Sequence, residues 1–351
     1  MKVAIITDTH FGVRNESPIW MKAHSMMVQE FFQQVKDRDI HTIWMLGDIV
    51  DSRKSISSKM LSWIKTNWTQ PIKDLDLEVH QILGNHDTFY RSTNLPNLPS
   101  EIFDHVNNIY IYENNPIRLK VGSKYVLMCP WICPENHQAV MEALAVPVDV
   151  VCGHFDIVGC LMHGTQVSDH GLSQELFSAH KKVFSGHYHK KSTAGHIHYL
   201  GNPVATNWSE SIDPHGFHFY DVEEDHLEFA EFTYPLYNKV YVQGNDQADY
   251  TYVDNGACFI KVFVHKDRNE FYLQQLITQI RELNHVLQLQ IIDDRQDASV
   301  SEVEFDEDEL RTDLLGLMHR TVNESDYPDP KQMIQLLTEL HNQCKQASIL
   351  G

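Results

Sequence analysis

From residue 1 to about 235 the chain is a series of short apolar runs, mostly β-branched or aromatic, that end in Gly, Asp, Asn and His. Runs of this size and composition are strands bounded by turn residues. They fall at 3–7, 42–46, 78–83, 109–112, 124–129, 148–152, 182–185, 197–200, 217–222 and 226–232. Helical patterns lie between the early ones, at roughly 17–38, 56–69 and 135–145. Early strands alternating with helices predict parallel βα units, and the later strands read as hairpins. The expected fold is α/β, two mixed β-sheets packed together and sandwiched between helices.

A smaller unit follows. Residues 257–264 read as a strand, 269–283 as an amphipathic helix and 286–292 as another strand. This β-α-β appendage of about fifty residues is too small to be a confident core alone. Residues 293–309 hold nine Asp or Glu and one Arg, which predicts a solvated linker. Helical periodicity then resumes. Leu310, Leu314, Leu317 and Met318 form one stripe. Asp329 and Pro330 open a second helix with Met333, Ile334, Leu337, Leu340 and Cys344 on one face. The expected organisation is a main domain over 1–238, the small unit over 239–292, the linker over 293–309 and a C-terminal helical tail over 310–351.

Composition excludes several classes. No apolar run approaches the ~20 residues of a membrane span, and the residues after Met1-Lys2 reach Asp8 too soon for a signal segment. No membrane association and a cytoplasmic location are expected. The six cysteines (129, 133, 152, 160, 258 and 344) make no disulfide grid or zinc pattern, so reduced, buried thiols are expected. The net charge is −20, yet residues 1–200 hold 18 Lys and Arg against 20 Asp and Glu, whereas 201–351 hold 10 against 28. That distribution excludes a bare DNA-binding module. It leaves open a metal-dependent enzyme acting on phosphates.

Five short motifs sit in or just after predicted strands: Asp8-Thr9-His10; Gly47-Asp48 with Asp51; Gly84-Asn85-His86-Asp87; Gly153-His154; and Gly186-His187-Tyr188-His189. In extended chain, residues i and i+2 face one side, which pairs Asp8 with His10 and His187 with His189. Asp8, His10, Asp48, Asn85, His154, His187 and His189 together offer two carboxylates, one carboxamide and four imidazoles, with no thiolate. Seven N and O donors exceed one tetrahedral zinc. They suit two cations sharing a carboxylate, ~3.5–4 Å apart, as in phosphoryl displacement. Asp48, in its Gly-Asp turn, is the expected bridge. Asp-x-His and Gly-Asp are weak signals alone, Gly-Asn-His-Asp and Gly-His-x-His are moderate, and the ordered series, each after a strand, is strong.

The series resembles the calcineurin-like metallophosphoesterase superfamily. Within it, the chain is similar to the nuclease subunits of SbcCD-type recombination and repair complexes and to their counterparts in T4-like phages. Pro130-Trp131, the segments 168–177 and 199–203, and the segment 213–221 extend the likeness. The resemblance implies that Asp8, His10, Asp48 and His189 hold one metal, and Asp48, Asn85, His154 and His187 the other. His86 would be the non-ligand general acid at the leaving 3′ oxygen, with Asp87 orienting it, and the cations would activate the attacking water. Manganese is the implied metal; ligand type alone leaves magnesium, iron and zinc open. The small β-α-β unit would be a capping domain. The implied activity is a phosphodiesterase, a DNA exonuclease or endonuclease, in the host cytoplasm if phage-encoded. Its partners would be DNA, a second copy of the chain, and an ABC-type coiled-coil ATPase bound through the C-terminal helices. The chain has no P-loop of its own.

Two other readings compete. A metallophosphatase or small-molecule phosphodiesterase has the same fold, but it needs no appendage, linker and tail, and this chain departs from the phosphatase motifs at 47–54 and at Asp87. A non-catalytic scaffold for an ATPase has no reason to keep seven donors and His86. Outside the motifs, His196 and His198 read as hairpin polarity. His163 and His170 are weaker candidates for substrate contact, and Asp51 either contacts substrate or orients a ligand. Arg53, Lys54, Lys59 and Lys65 fit equally a phosphate-contacting edge or a solvated helix. Leu61, Trp63, Ile64 and Trp68 fit equally a core face or a dimer interface.

Overall fold

The computed structural model describes residues 1–293, apart from 164, 165, 233, 235 and 245, together with Met333. The expected linker beyond Asp293 and the tail over 310–351 lie outside the described residues. In chain order the strands are β1 (Lys2–Ile6), β2 (Thr42–Leu46), β3 (Glu78–Ile82), β4 (Ile109–Tyr112), β5 (Ile117–Val121), β6 (Lys124–Met128), β7 (Val150–His154), β8 (Leu161–His163), β9 (Gln166–Val167), β10 (Lys182–Gly186), β11 (Ser192–Ala194), β12 (Ile197–Tyr199), β13 (Gly216–Asp221), β14 (His226–Glu231), β15 (Tyr237–Gly244), β16 (Phe259–Arg268) and β17 (Gln288–Asp293).

Two six-stranded mixed sheets form the body, ordered β14-β13-β1-β2-β3-β4 and β11-β12-β10-β7-β6-β5. Strands β1 to β4 are mutually parallel, and β13 returns antiparallel to β1. Strands β6, β7, β10 and β12 are parallel too. For β6 and β7, with the helix between them, that is the expected βα arrangement; the hairpin reading of the later strands holds for β11–β12 and β13–β14 but is corrected for β10 and β12. The reason is in their composition. Val150-Val151-Cys152 and Val183-Phe184 are buried on both faces, as parallel strands covered on both sides are.

Alternation within the central strands divides the core. Ala4, Ile6, Ile43, Met45 and Val79 face a helix-covered layer with Met27, Val28, Phe31 and Val35. Val3, Ile5, Trp44, Leu46 and Ile82 face the second sheet, meeting Val126, Met128, Val150, Cys152 and Phe184. On that sheet's far side, Leu127, Val151 and Val183 pack with Val140 and Leu144 of the helix His137–Leu144. The helix Pro18–Asp37 has proline at its first turn, and its buried residues recur at helical spacing, which fixes its inner face. The helical segment from Ser58 to Asp74 starts on Ser57, whose Oγ accepts from Met60 N at 3.1 Å, and passes a π-turn at Lys65–Thr69. Trp63, Ile64 and Trp68 are buried in the chain's own core, and Leu61 is partly buried there.

The appendage has three parallel strands, β15-β16-β17, where two were expected. The helix Glu270–Arg281, capped by Asn269 Oδ1 on Phe271 N and Tyr272 N, covers one face. Leu273, Leu276, Ile277 and Ile280 pack there on Val242, Ile260, Val262 and Val264, a cluster separate from the body's cores. Cys129, Cys133, Cys152, Cys160 and Cys258 are free and buried; Cys344 lies outside the described residues. No helix among the described residues is long and apolar enough to cross a membrane.

Candidate metal centre

The strands β1, β2 and β3 are neighbours in one sheet, and β7 and β10 are neighbours in the other. All nine candidate residues lie at or just beyond the C-terminal ends of these strands, the edge where parallel sheets bind ligands. The loop after β1 carries Asp8 and His10, and the loop after β2 carries Asp48. The loop after β3 carries Asn85, His86 and Asp87. His154 ends β7, and His187 and His189 follow β10. Asp8, His10, Asp48, Asp87 and His154 are almost wholly buried, while Asn85, His86, His187 and His189 are half-buried.

The extended pairing read from sequence is not how these side chains converge. Asp8, His10, Asp48 and His187 have φ of 52°, 44°, 52° and 86°. Each loop therefore turns sharply through left-handed backbone as it leaves its strand, a strain that such sites hold when the surroundings over-determine it. Close approach is needed as well. A Cβ on Gly47 would lie 2.6 Å from Gly84 N and 2.7 Å from His154 Nδ1, so the β2 and β3 loops touch only because both residues are glycine.

Donors gather in two groups on either side of Asp48, and a further set, His10, Asp51 and His86, also has its donor atoms within 4.8 Å of one another. In the first, donor atoms of Asp8, His10 and His189 lie within 4.8 Å of one another, with His10 Nε2 3.1 Å from His189 Nε2. In the second, Asn85 Oδ1 lies 3.1 Å from His154 Nε2 and 3.0 Å from His187 Nδ1. Asp48 stands between them. Its Oδ2 is 3.3 Å from His154 Nε2 and 3.7 Å from His10 Nε2. Asp8 Oδ1 is 3.9 Å from His154 Nε2, and both Asp8 oxygens accept from His187 N.

The outer partners set which ring nitrogen is available. His154 Nδ1 donates to Leu46 O at 2.8 Å, and His189 Nδ1 donates to Glu210 Oε1 at 2.8 Å. Both arrangements present Nε2 to the centre, as metal-binding histidines do. Glu210 escaped the sequence reading. It lies 21 positions past His189, and no local motif marks it. Buried, it also accepts from Thr206 N and Oγ1, Asn202 Nδ2 and Asn207 Nδ2. Burial opposes its charge, but His189 and these donors hold its carboxyl well below the usual range.

Asp87 acts on the loops. Its oxygens accept from Gly84 N, Asp48 N and Ile49 N at 2.8, 2.8 and 3.0 Å, clamping the second motif to the third. Burial first, and Asp48 second, push its carboxyl up to about 7 against those amides. The ring of His86 is held by a different group, its Nδ1 donating to Asp51 O at 2.7 Å. His86 N donates to Asp48 Oδ1 at 2.7 Å. Asp51 Oδ1 lies 3.6 Å from His10 Nδ1, beyond hydrogen-bond range. That buried nitrogen has no hydrogen-bond partner among the described residues.

The donors fit divalent cations. Nε2 of His154 meets only acceptors, Asn85 Oδ1 and Asp48 Oδ2, and two imidazole nitrogens face each other at His10 and His189. Protons can fill these gaps. Burial works against charge on His154, but Asp48 and Asp8 lift it to about 9, and Glu210 with Asp8 does the same for His189. Asp48 is held well below the usual carboxylate range, burial being outweighed by His154, His86 and His10. Burial and His154 push His187 down to about 3, leaving it a neutral donor. Two buried carboxylates, one carboxamide and facing imidazole nitrogens are the donor set that divalent cations satisfy.

Other candidates have partners of their own or face solvent. His196 Nε2 bonds Phe177 O at 2.9 Å, and His198 is half-buried on β12. The exposed His170 pairs with Asp169 and Asp156, and the side chain of His163 lies outside the described residues. Lys54, Lys59 and Lys65 are exposed.

The sequence model of the calcineurin-like phosphoesterase family matches residues 1–214. Exonuclease subunit 1 of Enterobacteria phage T4 is 26% identical over 311 residues, spanning 87% of this chain and 90% of that protein. Among solved structures, an archaeal phosphodiesterase aligns with 66% of this chain and 100% of its own at 13% identity and a TM-score of 0.36. A dimetal phosphatase from Danio rerio aligns with 66% of this chain and 95% of its own at 10% identity and a TM-score of 0.41. The match over residues 1–214 spans every motif of the centre, and the chain belongs to the calcineurin-like phosphoesterase family, whose members bind two divalent metals.

Proposed function

We propose that the chain is a two-metal DNA nuclease, the catalytic subunit of a recombination and repair complex, that hydrolyses phosphodiester bonds. The observation that carries this is the meeting of seven N and O donors from five loops beside a half-buried imidazole, His86. Asp8, His10, Asp48 and His189 would hold one cation, and Asp48, Asn85, His154 and His187 the other, with manganese as the metal. Bound there, the cations would lower the pKa of water and neutralise charge on the phosphate. Asp48, within 3.7 Å of histidines in both groups, is the residue placed to serve both.

His86 has a different task. Its Nδ1 hydrogen goes to Asp51 O, so Nε2 is the atom that exchanges a proton with substrate. Imidazole is the side chain most often used as a general acid, and here it would protonate a leaving 3′ oxygen. Glu210 fixes the ring of His189, and Asp87 holds the β2 and β3 loops in register. A DNA substrate is supported by the T4 relative, an exonuclease subunit matched over 87% of this chain. An ABC-type ATPase, bound through residues 310–351, and a second copy of the chain are the proposed protein partners.

The test is a nuclease assay on single- and double-stranded DNA, with manganese and with a chelator. Manganese-dependent cleavage of either DNA is expected. Hydrolysis of small phosphate monoesters with no cleavage of DNA would show a phosphatase instead.

A further inference from the structure

The segment between the third metal motif and the helix Leu98–Phe103 carries large apolar side chains turned outward. Phe89 is 39% exposed and Tyr90 53%, with their rings edge to face at 4.7 Å. Exposed apolar side chains that adjoin one another are where contact surfaces form, and these begin three residues past His86. The segment's backbone is not loose. Thr88 bridges Asn97, Phe89 N donates to Pro96 O, and Leu98 N donates to Asp87 O. Two buried asparagines fill its interior. Asn94 Nδ2 donates to Glu113 O and to Trp131 O at 2.9 and 2.8 Å, and Asn97 Nδ2 donates to Asn94 O and Glu113 Oε1.

Trp131 joins this segment to the metal centre. Its amide donates to Leu83 O at the end of β3, and its half-exposed ring lies 5.4 Å from that of His187 and 6.0 Å from that of His154. The fold therefore sets an aromatic wall beside the metal ligands, and the exposed aromatic pair follows the general acid by three positions on a loop whose backbone is braced, with exposed Arg91 next in the chain.

We infer that Phe89 and Tyr90 form a stacking site for unpaired bases of the DNA strand being cut, a deepening that rests on the nuclease reading above. Bases present apolar π-faces that aromatic side chains stack on without reading sequence, and a neighbouring guanidinium adds attraction to the backbone phosphates. Rings held on a braced loop lose little freedom when a base arrives. The pair thus favours single-stranded or frayed ends over intact duplex, whose bases are already stacked.

The experiment measures binding of a labelled single strand to the full chain with manganese. It compares a normal oligonucleotide with one carrying abasic positions around the cut site. Wild type is expected to lose roughly tenfold or more in affinity when the bases are removed. The F89A/Y90A variant should bind the normal strand that much more weakly and lose little further on the abasic one. F89L/Y90L keeps apolar bulk but no rings and should behave as the alanine variant does; F89Y/Y90F keeps both rings and should match wild type. Wild type that is indifferent to abasic positions, or leucine variants that bind as wild type does, would overturn the inference alone. A changed oligomeric state in F89A/Y90A, with DNA binding intact, would overturn it in favour of a protein interface. Wild type that neither binds nor cuts DNA would overturn the nuclease reading and this inference together.

Discussion

Asp48 occupies φ 52°, a conformation asparagine also tolerates, so Asp48→Asn removes a charge without breaking its loop. Because its Oδ2 reaches histidines of both donor groups, the substitution should lower metal content below two per chain. Activity should fall by more than roughly 10²-fold, beyond the usual effect of outer-shell partners. Elemental analysis of the purified variant decides this; two metals still bound would end the bridging role. His86→Asn should separate chemistry from binding. Metals and DNA affinity are expected to stay while cleavage falls by roughly 10²-fold or more, and near-normal turnover would remove His86 from the mechanism. At this scale the candidate residues were legible in sequence because five motifs bearing Asp, Asn and His follow strands in order, a series with few structural uses even though one motif alone is weak. Their outer partners were not. Glu210 and the Asp51 carbonyl reach His189 and His86 across 21 and 35 positions, and no local pattern encodes such a contact.

The elements that the sequence declares are those buried on both faces. β1, β2, β7 and β10 read as uninterrupted apolar runs and were located within a residue or two. The missed strands are edges or near-edges. β5 (Ile-Arg-Leu-Lys-Val) is mostly solvated, and β15 is half-exposed along most of its length. An edge strand owes its conformation to a neighbour's ladder more than to its own composition. One hairpin also ties the two sheets together. Asp225, in the turn between β13 and β14, bonds Tyr220 Oη beside it and the Nζ of Lys124 on β6 and of Lys182 on β10. Burial opposes its charge, but Lys124, Tyr220 and Lys182 outweigh that and hold the carboxyl well below the usual range. A depressed carboxyl stabilises the fold above the ordinary Asp value near 4 and loses that contribution as pH falls below it. Its side chain is 44% exposed, so solvent screening limits the effect to about 1 kcal/mol or less. Asp225→Asn should cost that much at pH 7 and flatten the acid limb of the stability profile, as read by urea denaturation between pH 7 and 3. An unchanged acid limb would show that the clamp adds nothing.

For the molecule as a whole, the centre is where the two sheets are joined by chemistry and not only by packing. Three of its loops come from one sheet and two from the other, and they converge carboxylates and imidazoles in a buried place. Chelation should therefore lower thermal stability, and manganese should restore it as saturation rises, by about 2.7 kcal/mol at one hundred times the dissociation constant. Scanning calorimetry of chelated and metal-loaded protein checks this; identical melting curves would show that the donors are satisfied without cations. The sequence alone determined the α/β class, most central strands and the helix at 18–37, and it named the seven candidate donors. Burial on both faces, helical periodicity and strand-end chemistry are local properties that leave a local trace. Only the tertiary structure decided that β10 and β12 run parallel to β7 and that the appendage has a third strand. It alone bent the ligand loops through left-handed backbone and brought Glu210 behind His189. Those outcomes depend on which distant segments pair, and pairing is settled by the free energy of the assembled sheets and not by any stretch of chain alone.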